Sequence, residues 1–455
     1  MMQNLLIRSM LAPMGRLAAK VHDRVREGVF LLSAVALFLP CLLQPRLFPG
    51  APYILVFAWG CLWTGMLILS VLPETLRPIR VNKPMFAVWV AFGLLVLISA
   101  LRFNTDWLSE AIVVLIIVPV LSLVWGNCDC KRIFFLLRRA CICTFVAYVI
   151  LSALLVPIGS RQYGGLIPNV NGAAMYLSLV FACLLVECIS PCTCKIRRGV
   201  TLLLTGMCFA LIFYTNSRTG QLAAILSVLV VFAVLALAQR RAFPRRGLLQ
   251  LICLVMAVAV MLPVTVYIIR GGNLAGAALQ ELIGSGTEVP PDGDGTQLPN
   301  LDSFLDYTGD KLQTGDKDLN AISTGRINIW KVYLQESTLF GTGKEERLWI
   351  ESRDEYYVTA HMTLLTYAFR HGFVSALLFL VFNLLSGIRA IRYALAHAGE
   401  AWAMFPLAVT VTFGALSVLA SVNTPFSYMV TIYYYFVQAP LFVKESPVLP
   451  ADCEE

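Results

Sequence analysis

Residues 217–241 read SRTGQLAAILSVLVVFAVLALAQRR. Between Thr219 and Ala238 there is no charged side chain, and at 1.5 Å of rise per residue such a run makes a helix of about 30 Å, the thickness of a bilayer's hydrocarbon core. One arginine, Arg218, precedes the run and the pair Arg240-Arg241 follows it. The stretch therefore reads as a membrane span with a direction, since basic residues gather on the cytosolic side.

The same pattern repeats outward from it. Apolar runs at roughly 29–46, 51–72, 84–101, 109–126, 140–158, 171–190, 199–214, 219–238, 248–269, 371–388, 402–421 and 425–443 predict about twelve spans. A mean hydropathy of +0.75, with 58% apolar and 14% charged residues, excludes an ordinary soluble domain. Period-two alternation is absent, which argues against an outer-membrane barrel. The expected class is an all-α integral membrane protein.

The loops assign sides. The segments 1–28, 73–83, 127–139, 191–199, 239–247, 387–400 and the tail after 443 hold 22 lysines and arginines, whereas the short loops between them hold only Arg46, Arg102, Arg161 and Arg218. This alternation predicts cytosolic termini and an extracytoplasmic segment from Gly271 to Ala360. That segment carries 15 of the 27 acidic residues against seven basic ones. The organisation is then a cytosolic basic segment (1–28), nine spans (29–270), the extracytoplasmic loop (271–360), three spans (361–443) and a cytosolic tail (444–455).

Residues 1–28 lack the small-residue cleavage site of a signal peptide. Leu6, Met10, Met14, Leu17, Val21 and Val25 recur at helical spacing among Arg8, Arg16, Lys20 and Arg24, which predicts an amphipathic helix on anionic membrane lipids, interrupted near Pro13. Most of the 13 cysteines fall inside apolar runs. The Cys128/Cys130 and Cys192/Cys194 pairs lack partner ligands and read as structural thiols.

In the long loop, Gly284–Asn300 is a Gly/Pro/Asp-rich linker. Its Asp292-Gly-Asp294-Gly run lacks the order of ligands and the closing glutamate of a calcium loop. A helix is expected from Thr324 as N-cap, with Ile327, Trp330 and Leu334 on one face, ended by Phe340-Gly-Thr-Gly343. A second helix is expected through Leu348-Trp349, towards His361.

Four outward motifs are suited to chemistry. Arg161 precedes Pro168-Asn169-Val170-Asn171. Arg218 lies in the tight turn before Gly220 and Leu222. Arg326 stands at a helix N-terminus, where backbone N–H groups also favour an anion. The guanidinium is a fixed fork of donors suited to phosphate and diphosphate. His361, as a proton acceptor for a hydroxyl, shares a helical face with Gly372 and Ser375, eleven and fourteen residues on. His371 faces elsewhere, and Arg370, as a charge inside the membrane, is the residue that would favour a transporter. Each motif has a plainer reading, pairing with headgroups or with the acidic loop. No metal constellation appears, and nucleotide-binding and HExxH motifs are missing.

Three of these motifs resemble the pattern of the O-antigen ligase/O-antigen polymerase family of polytopic glycosyltransferases, with a GT-C-like architecture and a large late periplasmic loop. Arg218 with Leu222, in SRTGQL, fits its R-x-x-x-L element. Arg326 with Trp330, followed by FGTG, fits its G-R-x-x-x-W element. His361 fits the histidine that precedes a glycine eleven residues on, here Gly372. Met362 and Ser375 depart from the residues usual at their positions. The resemblance covers roughly residues 155–385. It implies a metal-independent, inverting transferase without cofactor, acting on a polyprenyl-diphosphate-linked glycan donor and a glycan or lipid–glycan acceptor in the bacterial cytoplasmic membrane. No nucleic-acid partner is expected. Under it, Arg218 and Arg326 grip the diphosphate, His361 orients or deprotonates the acceptor hydroxyl, and Arg161 and Asn169 assist at the lipid or sugar. The alternatives are a lipid-linked glycan flippase or secondary transporter, which would place ionisable groups near the bilayer midplane in two related halves, and a scaffold for envelope assembly.

Overall fold

A computed structural model describes residues 7–47, 52–158, 162–190, 194–239, 243–283, 325–344, 347–351, 354–397 and 400–443. Arg161, Thr324 and the Asp292/Asp294 run lie outside the described residues. Among the described residues, eleven helices are long and apolar enough to span a membrane: Asp23–Leu43, Tyr53–Val71, Lys83–Arg102, Thr105–Trp125, Cys130–Leu155, Val170–Ile189, Lys195–Tyr214, Arg218–Ala238, Gly247–Ala278, Phe373–Ala396 and Ala401–Leu419. The described strands are β1 (Leu348–Ile350) and β2 (Glu355–Tyr357), one antiparallel hairpin. The chain is an all-α multi-pass membrane protein. Leu94, Ile98, Leu203, Leu229, Val255 and Leu377 stand exposed on its flank, a belt that only lipid covers without penalty.

The expected twelfth span differs. Its helix, Met429–Phe442, has 14 residues, all buried. That is about 21 Å of helix against a core of about 30 Å. The missing length is irregular backbone at residues 420–428, folded back into one end of the bundle. Such backbone is tolerated at membrane depth where it lines a polar cavity.

The loops sort into two ends. At one, Arg132 pairs with Glu27 at 2.8 Å, Lys131 with Glu400 at 3.2 Å and Arg138 with Glu187 at 3.1 Å. Arg26 there donates to the Ser70 and Leu72 carbonyls, and Val81 bridges Val443. At the other end lie Asn171, Ser217, Arg326, Arg370 and Asn423. The alternation of loops in the sequence is thus matched by spatial segregation.

The helix Val170–Ile189 is apolar on every face and buried almost throughout, as an all-round hydrophobic helix must be in a bundle. It packs against Lys195–Tyr214, Arg218–Ala238 and Met404–Leu419. At Gly220 a Cβ would stand 2.8 Å from the Ala174 Cβ, so this glycine lets two helix ends meet closely.

Two local expectations are corrected. Near the N-terminus a π-turn at Ile7–Leu11 runs into the helix Ala12–Ala18 with Pro13 in its first turn, where no N–H is needed. The interruption falls at residues 19–22 instead. Ile7, Leu11 and Gly15 are the buried face of this N-terminal stretch, while Met10, Met14 and Leu17 of the expected apolar face stay exposed. The glycines Gly271-Gly272 do not stop the ninth span. Its helix continues to Ile283, with Gly272 and Gly276 packed on Ala153 and Leu154.

Candidate active site

Thr215-Asn216-Ser217 joins two spanning helices. Asn216 adopts a left-handed φ of 53°, which its short amide side chain tolerates, and the chain reverses in three residues. Thr215 Oγ1 donates to the Ile212 carbonyl at 2.7 Å and accepts from the Ser217 amide at 3.2 Å, which fixes the turn. Ser217 Oγ donates to Asn171 Oδ1 at 3.0 Å. Asn169 Oδ1 caps the neighbouring helix, accepting from the amides of Asn171 at 2.9 Å and Gly172 at 3.3 Å. Two helix N-termini therefore stand side by side.

A third joins them. The helix Arg326–Glu336 starts after Gly325, itself left-handed at φ 76°, and not after a Thr324 cap. Arg326 Nη1 donates to the Leu419 carbonyl at 2.6 Å and lies 3.4 Å from Thr219 Oγ1. Leu419 ends its helix, so its carbonyl has no intrahelical donor. These two bonds hold the guanidinium at the junction of two helices. Ile329 and Tyr333 are the buried face of this helix, against Ile350, Ala360 and Phe369. The expected face fails in part: Leu334 is exposed and Trp330 half-buried. The reason is that the helix packs on a hairpin and a short helix beside it, a partner its own periodicity does not reveal.

His361 is not on a helix with Gly372. It sits in a turn with a left-handed φ of 51°, ahead of the short helix Thr363–His371. Gly372, at φ 93°, breaks the chain before the spanning helix Phe373–Ala396 starts. The shared helical face with Gly372 and Ser375 is therefore overturned. The expected helix at Leu348-Trp349 is also corrected, being strand β1 paired to β2. His361 is placed by its surroundings: its amide donates to Thr359 Oγ1 at 3.3 Å, and its ring lies edge-on to Tyr357. Thr359 Oγ1 donates to Ser421 Oγ at 2.6 Å, and Thr363 Oγ1 to the Ala420 carbonyl at 2.9 Å. These bonds staple the histidine turn to the irregular segment 420–428.

Gly372 has another role. A Cβ there would stand 2.3 Å from the Leu339 carbonyl oxygen, and one on Gly341, at φ 92°, would stand 2.4 Å from the Arg370 carbonyl oxygen. The two glycines let the FGTG loop and the helix break interlock. Phe373 N donates to the Thr338 carbonyl at 3.0 Å and Thr342 N to that of Phe369 at 3.1 Å. The motif that follows Arg326 and the motif that follows His361 thus lock together.

Between these elements opens a cavity of about 280 Å³, lined by Asn169, Asn171, Arg326, Thr359, His361, Arg370, Ser421 and Asn423 among others. Ser217, Thr219 and Gly220 form its wall on the side of the Arg218 turn, and Arg218 itself is half-buried beside them. Leu222, 40% exposed, is on the bundle's flank. Three helix N-termini, two arginines and a histidine around one polar recess make a place where negative charge is stabilised and a proton can be taken up.

Sequence reasoning missed the far wall. Arg370 lines the cavity, Glu110 lies behind it, and His371 is buried there. A signal existed, since Glu110 is an acidic residue inside the apolar run 109–126. Asn423 and Ser421 carried none, because Ser421 ends the run 402–421 and Asn423 lies in the short gap before the run 425–443.

Residues 202–380 match the family model described as O-antigen ligase. No curated protein and no solved structure matches the chain. The matched segment carries Arg218, Arg326, His361 and Gly372 in the order described above, and over that segment this multi-pass membrane protein is similar to the O-antigen ligase family.

Proposed function

We propose that the protein transfers a glycan from a polyprenyl-diphosphate donor to a hydroxyl of a saccharide or lipid–glycan acceptor. The reaction would take place on the outer face of the bacterial cytoplasmic membrane, in building a cell-surface polysaccharide. The observation that carries this reading is the convergence of Arg326, His361 and the 217–220 turn on one recess at the end of the bundle opposite the basic loops. A lipid-linked donor lies with its tail in the bilayer and its diphosphate at the headgroup level. A cavity floored by irregular backbone just below that level receives such a diphosphate.

In the proposed reaction the bond from the anomeric carbon to the diphosphate oxygen breaks and that oxygen gains charge. Arg326, with Arg218 and the helix N-termini, stabilises the charge without a metal. His361 accepts the proton of the acceptor hydroxyl as its oxygen attacks from the opposite face, so the anomeric configuration inverts. Polyprenyl diphosphate leaves. Arg161 and Asn169 are assigned to the lipid or sugar; Asn169 combines this with its capping bond. The Glu110–Arg370 pair is the feature nearest to a transporter's buried ionisable site. Glu110 lies in the second turn of its helix, about 8 Å from that end, and not at a midplane between repeats.

Lysine tests the reading because it keeps charge and loses the planar fork. Arg326→Lys and Arg218→Lys are each expected to cut turnover by at least about tenfold, within the range for a lost transition-state donor. Arg102→Lys, at an exposed arginine of the same end, is expected to be neutral. Full activity in both motif variants would make the arginines headgroup contacts and refute the site.

A further inference from the structure

The hairpin that leads into His361 has two unlike faces. Ile350 is buried, and with Leu348 and Tyr357 it packs towards Ile329, Tyr333 and Phe369. The other face carries Trp349 and Tyr356, which stand opposite each other across the strands. Their ring centroids are 4.8 Å apart, with the planes at 64°, and the residues are 44% and 54% exposed. The Arg347 guanidinium lies 4.7 Å from the centre of the Tyr356 ring. By contrast, Trp89 and Trp125 are fully buried in the bundle.

Two large rings left on an open face call for a partner, since an apolar patch rimmed by polar groups marks a contact site. Trp and Tyr also gather at membrane interfaces. Lipid is disfavoured here, because Glu351, Asp354 and Glu355 are exposed on the same hairpin and would enter the bilayer with the rings, at high cost. The chemistry matches a pyranose instead. Such a sugar presents a face of C–H groups that lies on an aromatic ring, and a rim of hydroxyls. Arg347 offers donors to that rim, and the carboxylates offer acceptors. Position favours the same occupant. Val358 and Thr359, which follow the hairpin and precede the His361 turn, line the cavity. At about 3.3 Å per residue, Tyr356 stands about 7 Å along the chain from Val358. A glycan leaving the cavity on this side meets the two rings next.

We infer that Trp349 and Tyr356, with Arg347 beside them, form a stacking platform for a pyranose of the glycan, beyond the reacting sugar. The inference rests on the proposed transferase reading and adds to it a subsite that only a glycan of several sugars reaches. The platform acts on binding and touches no reacting atom. The bound glycan belongs to the donor or to the acceptor, and kinetics separates the two.

The test uses the full-length purified protein with a polyprenyl-diphosphate-linked oligosaccharide and an oligosaccharide acceptor, each also supplied cut back to a single sugar. Wild type is expected to show a lower KM for the longer form of one of the two substrates. Trp349→Ala and Tyr356→Ala should each raise that KM about three- to tenfold, the loss of one aromatic contact, with kcat within about twofold. They should leave the KM of the single-sugar form unchanged, so that the preference for length disappears. Trp349→Phe, which keeps a ring, should retain most of that preference. The substrate whose KM moves identifies the bound glycan as the donor's or the acceptor's. An equal rise for the single-sugar and longer forms would mean that the hairpin only holds the His361 turn in place, and would overturn the inference. So would a wild-type enzyme indifferent to length, or alanine variants with unchanged KM. Lipid as the partner is tested separately, in vesicles of brominated phosphatidylcholine. Quenching there of the emission that Trp349→Phe removes would put the ring in the membrane and overturn the inference. Absence of transfer by wild type with any of these substrates would instead overturn the proposed function itself.

Discussion

At the scale of single residues, the turn at His361 shows how much a side chain's role depends on the backbone that presents it. A non-glycine residue at φ 51° is uncommon, and here the conformation lifts the imidazole out of any helix and onto the cavity wall. The residue type was legible in the sequence, and so was its distance from Gly372, but the geometry between them was not. A period of 3.6 assumes an unbroken helix, and nothing local announced that Gly372 would break it. If His361 takes the acceptor's proton, then His361→Ala should lower kcat about a hundredfold or more, with the KM for donor within about threefold. Steady-state kinetics at saturating acceptor checks this. An equal rise in donor KM with kcat preserved would make His361 a donor-binding group.

At the scale of elements, the site depends on a lock between the FGTG loop and the helix break at 372. The apolar runs were easy to read, because burial in lipid demands length and little else. The outer segment was hard to read, because its short helix and hairpin are held by one another. Ile329 and Tyr333 pack on Ile350 and Phe369, and no stretch of the sequence contains that partnership. The twelfth run failed for a related reason: residues 425–428 read as its first turn, yet with 420–424 they form irregular backbone against the cavity. The lock can be tested at Gly372, where a Cβ has no room. Gly372→Ala forces a side chain into a positive-φ conformation that only glycine adopts readily, at about 1–3 kcal/mol in addition to the clash. It should lower the thermal midpoint measurably and abolish most transfer, whereas Gly387→Ala, at an open position, should do neither. A stable, active Gly372→Ala protein would show that the loop and the break are not coupled.

At the scale of the whole molecule, one end of the helical bundle carries the recess proposed for glycan transfer and the other gathers the basic loops. The eleven spans among the described residues, and the segregation of loops, followed from hydropathy and charge. The recess did not, because it forms from three N-termini and a break that only tertiary packing brings together. On the proposed sidedness, a cysteine introduced at Arg218 in a background of silenced native thiols should react with a membrane-impermeant reagent in intact cells. One at Arg389 should react only after permeabilisation. The reverse pattern would put the cavity in the cytosol, where a lipid-linked glycan awaiting export is not a substrate. The most direct measurement is transfer itself. Purified protein, given a polyprenyl-diphosphate-linked oligosaccharide and its acceptor in excess EDTA without nucleotide, should form the elongated or ligated glycan and release polyprenyl diphosphate. Failure to transfer in EDTA, with activity restored by magnesium or manganese, would contradict the arginine-based account.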